Sequence, residues 1–141
     1  MNAQEIRDTF WNLFDKYHEK QGKPFSIVHV KGGKNQNAGN INNPSPMAMQ
    51  TLSCEIIPTQ NIILVQVYIN HNVYLFESLY AKREKFEREL GYSVEWVMRG
   101  KIAKDVRRIQ KKFYINRPYE EMIEFIYPYI LDFIKVFGDY V

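Results

Sequence analysis

A short basic segment, residues 99–117, contains the side chains of this sequence with the clearest chemical potential. It carries eight cationic side chains and one carboxylate, so its formal charge is +7, whereas the charge of the whole chain is +3. The cations are Arg99, Lys101, Lys104, Arg107, Arg108, Lys111, Lys112 and Arg117, and the anion is Asp105. Positive charge confined to one short segment predicts a surface that meets an anionic partner, such as the phosphates of a nucleic acid.

The predicted nucleic-acid-binding set consists of seven of these cations and two aromatic residues. Its members are Arg99, Lys101, Lys104, Arg107, Arg108, Lys111 and Lys112 as phosphate contacts, with Trp96 and Tyr114 as stacking partners. Two alternative roles for the positive charge of this segment stay open: protection of a sheet edge, and neutralisation of acidic residues of the same chain. Lysines on an edge strand prevent unwanted strand addition, and residues 118–141, whose net charge is −4, could neutralise the segment. The sequence has no helix-turn-helix, zinc-knuckle or aromatic RNA-recognition signature, so sequence-specific readout is not predicted.

A nuclease site is the catalytic alternative that the basic segment raises. Two-metal phosphodiester chemistry needs clustered carboxylates, together with a lysine that helps to activate water. The nearest arrangement is Asp105, which could meet Glu95 across a hairpin, followed by Gln110-x-Lys112 in place of a Glu-x-Lys motif. Chance occurrence in a lysine-rich segment accounts for this pattern better, so we predict no catalytic residue and keep a degenerate nuclease as a third alternative.

The histidines, the single cysteine and the glycine-rich loop predict no further site. His18, His29 and His71 lack metal-ligand spacing and are expected at the surface or rim of the fold. Cys54 lies in a predicted strand and is expected to be a small buried residue rather than a nucleophile. Residues 31–39 contain glycines and lysines but lack the Walker spacing and a following helix. We therefore predict neither a metal nor a cofactor.

Length and composition predict one soluble domain. The chain has 141 residues, of which 45% are hydrophobic and 15% aromatic, and this suffices for a core rich in rings. A single cysteine excludes an intrachain disulfide and suits a reducing compartment. The polar N-terminus lacks the pattern of a signal peptide, and the longest apolar run, 62–69, is too short to span a bilayer. These features predict a cytoplasmic protein that does not enter a membrane.

The first half of the chain predicts one helix followed by three strands. Asn2 can cap the helix that begins the chain, and residues 25–30 are typical of a strand. Residues 31–46 have no periodicity and are expected to form a long mobile loop. Residues 49–57 and 62–69, joined by a short polar turn, are typical of an antiparallel hairpin.

The second half predicts a helix, two strands and a final helix. The first of these helices begins at Asn70 or Asn72, and it is followed by a strand over 94–98. The last helix begins near Pro118, and Pro128 inside it is expected to kink or split it. The basic segment fits a helix by the spacing of its apolar residues, whereas its length and a hairpin at Gly100 suit a strand paired with 94–98. The residues alone leave both alternatives open.

Short motifs occur in a consistent order along nearly the whole chain. They are Phe10-Trp11 with Phe14, Gly22-x-Pro24-Phe25, Val67-Tyr68-Ile69, Leu75-Phe76-x-x-Leu79-Tyr80-Ala81, Glu87-x-Glu89-Leu90-Gly91, Val94-Glu95-Trp96, and Lys101-x-Ala103 before Val106. With the closing aromatic helix they resemble a bacterial domain-of-unknown-function family, often found C-terminal to PD-(D/E)XK-type nuclease or other DNA-processing domains. The resemblance implies an α+β fold in which the basic segment is a strand, and it supplies no catalytic residue. We expect a standalone member without the nuclease domain.

The expected fold is α+β, with one antiparallel sheet of about five strands and three helices in two layers. The order is α-β-β-β-α-β-β-α, and residues 1–141 form one domain with the mobile loop at 31–46. On a strand, the cations of residues 106–113 would point alternately to both faces. We expect a non-catalytic accessory module of a DNA-processing or defence system that binds DNA or RNA through this strand. The alternative is a self-associating protein–protein adaptor with exposed aromatic residues on its last helix.

Overall fold

In the part of the chain that the structure describes, six strands form one antiparallel sheet and four α-helices accompany it. The computed structural model describes residues 1–29, 37–43, 49–98 and 105–141. The helices are α1 (Ala3–Lys20), α2 (Val73–Tyr80), α3 (Arg83–Leu90) and α4 (Tyr119–Phe137). The strands are β1 (Ile27–His29), β2 (Ala38–Ile41), β3 (Gln50–Ile57), β4 (Ile62–Asn70), β5 (Glu95–Val97) and β6 (Val106–Tyr114). Their order in the sheet is β1-β2-β3-β4-β6-β5, which confirms the α+β class and the antiparallel sheet.

The first helix is fixed by its cap and its aromatic stripe. Asn2 accepts a hydrogen bond from the backbone N–H of Glu5 at 2.9 Å, which satisfies one of the free donors at the start of α1. Phe10 and Phe14 are fully buried on the side of α1 that faces α4. The Phe14 ring lies 6.0 Å from that of Tyr127, so aromatic contacts hold the two helices together.

The predicted hairpin of β3 and β4 is confirmed in the middle of the sheet. Eight residue pairs join the two strands. Their connection is a 3₁₀ turn over Pro58–Gln60, followed by Asn61 in the left-handed conformation (φ 55°). Asparagine tolerates this conformation better than most residues because its short polar side chain can hydrogen-bond locally. The sequence signal of a short polar turn is therefore realised by one residue with positive φ.

The basic segment contains a strand, β6, as the family resemblance implies. Nine residue pairs join β6 to β4. On its other side β6 pairs with β5, but only through Arg108, Ile109 and Gln110. Residues 111–114 consequently have no strand on that side among the described residues, and they form an edge of the sheet.

The two faces of the sheet have different surroundings. The core face, which includes Cys54 and Ile109, forms one hydrophobic cluster with buried residues of all four helices. The alternate residues point to the opposite face, which we call the outer face. On β3 to β6 its residues are Thr51, Ser53, Glu55, Ile57, Ile62, Leu64, Gln66, Tyr68, Asn70, Glu95, Val97, Val106, Arg108, Gln110, Lys112 and Tyr114. Leu64 and Val106 are buried there, yet they lie outside the core cluster.

The sixth strand arises where a loop is predicted. Residues 38–41 form β2, which pairs with β1 and β3, so the expectation of a mobile loop over 31–46 is wrong at these positions. This segment has low strand propensity. A Cβ at Gly39 would lie only 2.6 Å from Ile27 Cδ1, so the absence of a side chain at Gly39 allows β1 and β2 to pack closely. Residues 31–36 and 44–46 of the predicted loop lie outside the described residues.

The fourth helix arises because the predicted helix after β4 is divided. Asn72 caps α2 by accepting from the Leu75 N–H at 3.1 Å. The Arg83 guanidinium donates to the Tyr80 carbonyl at 3.1 Å and lies over the Tyr80 ring. These contacts occur where α2 ends, just before α3 begins. In contrast, α4 continues through Pro128 without a split. Proline has no N–H, so one helix carbonyl loses its hydrogen-bond partner. Because Pro128 lies on the exposed side of α4, water can bind that carbonyl instead. No helix of the described segments has the length and hydropathy that crossing a bilayer requires.

Candidate nucleic-acid interface

β6 presents its cations alternately on the two faces of the sheet. Arg108 and Lys112 lie on the outer face, whereas Arg107 and Lys111 lie on the core face. All four residues are partly exposed. The remaining predicted phosphate contacts, Arg99, Lys101 and Lys104, lie outside the described residues. The structure therefore brings four of the seven predicted cations onto one strand, and it divides them between two faces.

The shortness of β5 brings Lys111 and Lys112 to a common sheet edge. The pairing of β5 with β6 stops at Gln110, so the two lysines flank an unpaired edge from its two faces. Tyr114 lies on the same edge and is 68% exposed. Two cations and an accessible ring along a few residues of strand can contact both the phosphates and the bases of a nucleic acid.

Most of the described cations in the basic segment keep their charge unpaired by carboxylates. Among the described residues only Arg108 contacts a carboxylate, that of Glu55, at 3.5 Å. Arg107 and Lys111 donate to backbone carbonyls at 3.3 and 3.4 Å, which leaves their formal charge in place. The acidic residues at the start of α4 form no ion pair with these cations in the described chain. Within the described part of the chain, neutralisation by residues 118–141 therefore does not account for the cations of residues 105–117.

Arg108 belongs to a polar network at the centre of the outer face. Its guanidinium donates to Gln66 Oε1 at 3.3 Å, beside its ion pair with Glu55. Gln66 Nε2 in turn donates to Glu55 Oε2 at 2.9 Å and to Ser53 Oγ at 3.0 Å. The guanidinium carbon also lies 5.7 Å from the centre of the Tyr68 ring. Because both ends of the Gln66 amide are held, this network is a rigid part of the face.

The sequence contains a signal for this network that the predicted binding set omits. Gln66 interrupts the apolar run 62–69, and a buried amide in such a strand needs hydrogen-bond partners. The partners follow only from the strand register, which places Gln66 opposite Ser53 on one side and Gln110 on the other. A row of polar residues thereby crosses the sheet, consisting of Asn40, Ser53, Gln66, Gln110 and Glu95.

The two predicted stacking residues differ in their accessibility. Trp96 lies on the core face and packs edge-on against Phe76 and Tyr80, with ring centres 6.2 and 5.8 Å away. Its Nε1 is buried and has no hydrogen-bond partner within the described residues. Trp96 is therefore a partly buried residue that packs against the core, and this position does not favour its predicted role as a stacking partner, whereas Tyr114 is accessible for stacking.

The carboxylates considered for a nuclease do not meet. Glu95 pairs with Gln110, while Asp105 precedes β6 and lies five residues before Gln110, or about 17 Å along the strand. The Asp105 carboxylate instead lies 3.1 Å from His71 Nδ1. Within the described residues there is no group of three or more His, Cys, Asp or Glu that could hold a metal ion.

His18 is buried, and the expectation of a surface or rim histidine is wrong for this residue. Its Nε2 lies 2.8 Å from the Phe25 carbonyl, and its Nδ1 lies 2.5 Å from the Tyr127 hydroxyl. Since a carbonyl only accepts, Nε2 carries the proton and Nδ1 accepts from Tyr127. Burial lowers the pKa of His18 below its ordinary value of 6.5. His18 is therefore a neutral core residue that joins α1, α4 and the segment before β1.

The remaining two histidines and the cysteine lie where the sequence predicts. His29 is partly exposed beside Asp15, at 3.0 Å, and His71 is exposed. Cys54 is fully buried, and burial raises the pKa of its thiol, so it is not an activated nucleophile.

Comparison with known proteins places the chain in a family. No curated protein and no solved structure matches it. The family described as a domain of unknown function (DUF4268) matches residues 6–141, which is nearly the whole chain and covers every element of the fold apart from the first turn of α1. The chain therefore belongs to this family of domains of unknown function.

Proposed function

We propose that this domain is a non-catalytic accessory module that binds nucleic acid through β6 and the basic segment before it. The observation that carries the proposal is the charge of Arg107, Lys111 and Lys112, which no carboxylate of the described residues neutralises. Unpaired cations on an accessible strand attract phosphates, and they release condensed counterions when they bind. The accessible Tyr114 ring on the same edge adds a surface for base stacking.

The biological setting belongs to the same proposal. The family resemblance supports a bacterial protein of a DNA-processing or defence system that acts with restriction-type nucleases, in the cytoplasm. An accessory role fits the separation of Glu95 from Asp105, because these carboxylates cannot share a metal ion at the distance that the register imposes.

Replacing both edge lysines tests the proposal. In the Lys111→Ala/Lys112→Ala variant, we expect affinity for fluorescein-labelled single-stranded DNA to fall about tenfold at low salt. The slope of log Kd against log salt concentration should also decrease by about 1.4, since each lost contact with a single strand removes about 0.7. Fluorescence anisotropy at several ionic strengths measures both quantities.

A matched variant separates local contacts from net charge. Lys16→Ala/Lys20→Ala removes the same charge from exposed positions on α1, and we expect its affinity and salt slope to stay within about twofold of wild type. Equal losses in the two variants would show a non-specific effect of net charge. If the wild-type chain binds neither single-stranded nor duplex DNA or RNA, the proposal is wrong. Aggregation of the Lys111→Ala/Lys112→Ala variant without a change in binding would instead assign the lysines to edge protection.

Self-association through α4 is a second candidate function, and the exposed side of this helix favours it. Phe125 and Leu131 are 42% and 39% exposed, and they flank the exposed Pro128. Glu121 and Lys135 lie at equal distances on either side of Pro128 and are both exposed. In an antiparallel pair of α4 helices centred on Pro128, each glutamate would lie beside the lysine of the second copy, as a two-fold axis requires.

Leu131→Asp tests this second candidate. We expect the wild-type chain to dimerise with rising concentration and the variant to remain monomeric, because a buried carboxylate at the contact is costly. Sedimentation equilibrium measures the mass, and Tyr74→Asp, at an exposed aromatic position of α2, is the control that should still dimerise. A wild-type chain that is monomeric at every concentration would rule this candidate out.

A further inference from the structure

The outer face becomes more accessible from the centre of the sheet towards β5. Gln66 on β4 is 1% exposed, Gln110 on β6 is 8% exposed, and Glu95 on β5 is exposed. Lys112, two residues after Gln110 on the same face, is partly exposed. The β6–β5 side of the outer face is therefore a shelf that solvent reaches, with the fixed polar network of Gln66 behind it.

Gln110 is the unusual residue of this shelf. Its side chain makes no hydrogen bond with any residue in the described part of the chain, although it is more than nine-tenths buried. Gln66, on the neighbouring strand and the same face, has both ends of its amide hydrogen-bonded. Neither polar atom of the Gln110 amide is among the fully buried, unpartnered atoms of the described residues, so both reach solvent through the small exposed part of the side chain. The amide therefore offers one donor and one acceptor that are uncommitted within the described residues and that a ligand group can approach from the shelf.

Glu95 adds a second acceptor next to this amide. It is the cross-strand partner of Gln110, so the two Cα atoms lie about 5 Å apart and their side chains share the outer face. An ionised carboxylate only accepts hydrogen bonds. A ligand group at this position must therefore offer two N–H donors, one to Gln110 Oε1 and one to Glu95, and an acceptor for Gln110 Nε2.

An exocyclic amino group beside a ring nitrogen meets this requirement. Adenine presents N6–H₂ next to N7, which is the edge that glutamine recognises in a bidentate manner, and cytosine presents N4–H₂, which pairs with glutamate. Thymine presents the O4 acceptor in the corresponding place, and this oxygen would face the Glu95 carboxylate without a proton between them. Guanine presents the N1–H and N2–H₂ donors beside the O6 acceptor, so it meets the requirement as well. The shelf therefore discriminates against thymine and in favour of adenine, cytosine and guanine, which carry an exocyclic amino group.

The surrounding residues favour a single strand over a duplex. Gln110 is 8% exposed and lies recessed in the outer face, so the edge of a base that stays paired within a duplex does not reach its amide. An unstacked base can reach the recessed amide. Lys112 lies about 7 Å from Gln110 along the strand, and Tyr114 lies about 7 Å further on, so phosphate and stacking contacts follow in sequence.

We infer that this domain binds single-stranded nucleic acid and holds a base with an exocyclic amino group (adenine, cytosine or guanine) on the outer face, between Gln110 and Glu95. This inference rests on the proposed nucleic-acid binding and specifies its ligand. Lys112 contacts the adjoining phosphate, and Tyr114 stacks on a neighbouring base. The network of Ser53, Glu55, Gln66 and Arg108 keeps the floor of the site rigid and takes up no ligand.

Homopolymers test the inference. We would measure the anisotropy of fluorescein-labelled oligo(dA), oligo(dC) and oligo(dT) of about 12 nucleotides at one ionic strength. The wild-type chain should bind oligo(dA) or oligo(dC) about tenfold more tightly than oligo(dT), as expected for well-placed base contacts. It should also bind either of them more tightly than a duplex of the same length.

Two variants assign the preference to the two residues. Gln110→Leu should bring the affinities for the three homopolymers within about twofold of one another and leave the salt slope unchanged, because it removes base contacts and no phosphate contact. Glu95→Gln should increase affinity for oligo(dT), since an amide can donate to thymine O4 where the carboxylate cannot. Gln60→Leu, the same change at an exposed turn, is the control that should keep the wild-type preference. Glu95 is exposed, so its variant reports on binding even if Gln110→Leu fails to fold.

The outcomes separate this inference from the proposed function. Salt-dependent binding with equal affinity for oligo(dT) and the remaining homopolymers, or tighter binding of duplex DNA, would overturn the base site and leave nucleic-acid binding in place. A preference for amino-bearing bases that survives both Gln110→Leu and Glu95→Gln would overturn the assignment of residues. Absence of binding to every homopolymer and to the duplex would overturn the base site and the proposed function together.

Discussion

Gln66→Leu is expected to lower the free energy of unfolding by about 3 kcal/mol. The variant removes the donor that Glu55 receives at 2.9 Å and the acceptor that Arg108 uses at 3.3 Å. Hydrogen bonds to charged groups contribute about 1.5–3 kcal/mol each. Burial of the leucine side chain and the partial exposure of the Arg108–Glu55 pair offset part of the combined loss. Urea unfolding followed by circular dichroism measures the change.

Gln110→Leu is the matched control for this prediction, since it makes the same chemical change on the adjoining strand and the same face. Gln110 has no hydrogen bond to lose within the described residues, so we expect a change of less than about 1 kcal/mol. Similar losses in both variants would show that the strands, rather than the network, determine the cost. A Gln66→Leu variant as stable as wild type would show that the network does not contribute to stability.

His18→Ala is expected to lower the free energy of unfolding at neutral pH by about 3 kcal/mol. The change leaves the Phe25 carbonyl and the Tyr127 hydroxyl without their partners, and it opens a cavity between α1 and α4. The Phe25 and Tyr127 rings lie 4.4 and 5.9 Å from the imidazole, so these contacts are lost as well. Tyr127→Phe removes one hydrogen bond and keeps the packing, and it should cost about 1 kcal/mol.

The same residue makes stability depend on pH. Because burial lowers the pKa of His18 in the folded state, the unfolded chain binds a proton below pH 6.5 that the folded chain does not. The stabilisation that His18 provides is therefore complete above about pH 6.5 and decreases as the pH falls towards the folded-state pKa. The difference in unfolding free energy between wild type and His18→Ala should accordingly be smaller at about pH 5.5 than at about pH 7.5. An equal difference at both values would show that His18 is not held neutral in the fold.

The sequence predicts those parts of the fold that depend on neighbouring residues. Asn2 and Asn72 are caps that act within three positions of the chain, and both occur as local patterns indicate. The β3–β4 hairpin also follows from a short turn between two apolar segments. β2 has weak strand residues, and its conformation is imposed by β1 and β3 on its two sides, so no local pattern predicts it.

The site is less predictable than the fold because its geometry depends on register. Alternation along β6 assigns Arg108 and Lys112 to the same face from the sequence alone. That Gln66 lies between Ser53 and Gln110 requires two strand pairings, one of which joins segments about 40 positions apart in the chain. Trp96 illustrates the same limit, since a tryptophan beside cations suits base stacking equally well until the strand orientation places it on the core face, where it packs against Phe76 and Tyr80.

The position of β6 between β4 and β5 also governs the order in which the sheet assembles. Strands β1 to β4 pair with their neighbours in the chain. In contrast, β4 and β6 can pair only after the connection formed by residues 71–105 has brought its two ends together. The entropy of closing this loop delays that pairing relative to the local ones. Until then the isoleucine-rich β4 has an open edge, which is an aggregation hazard for a nascent chain. Electrostatic repulsion between chains, to which the cations of β6 contribute, opposes this association, so the charge of β6 also favours correct folding.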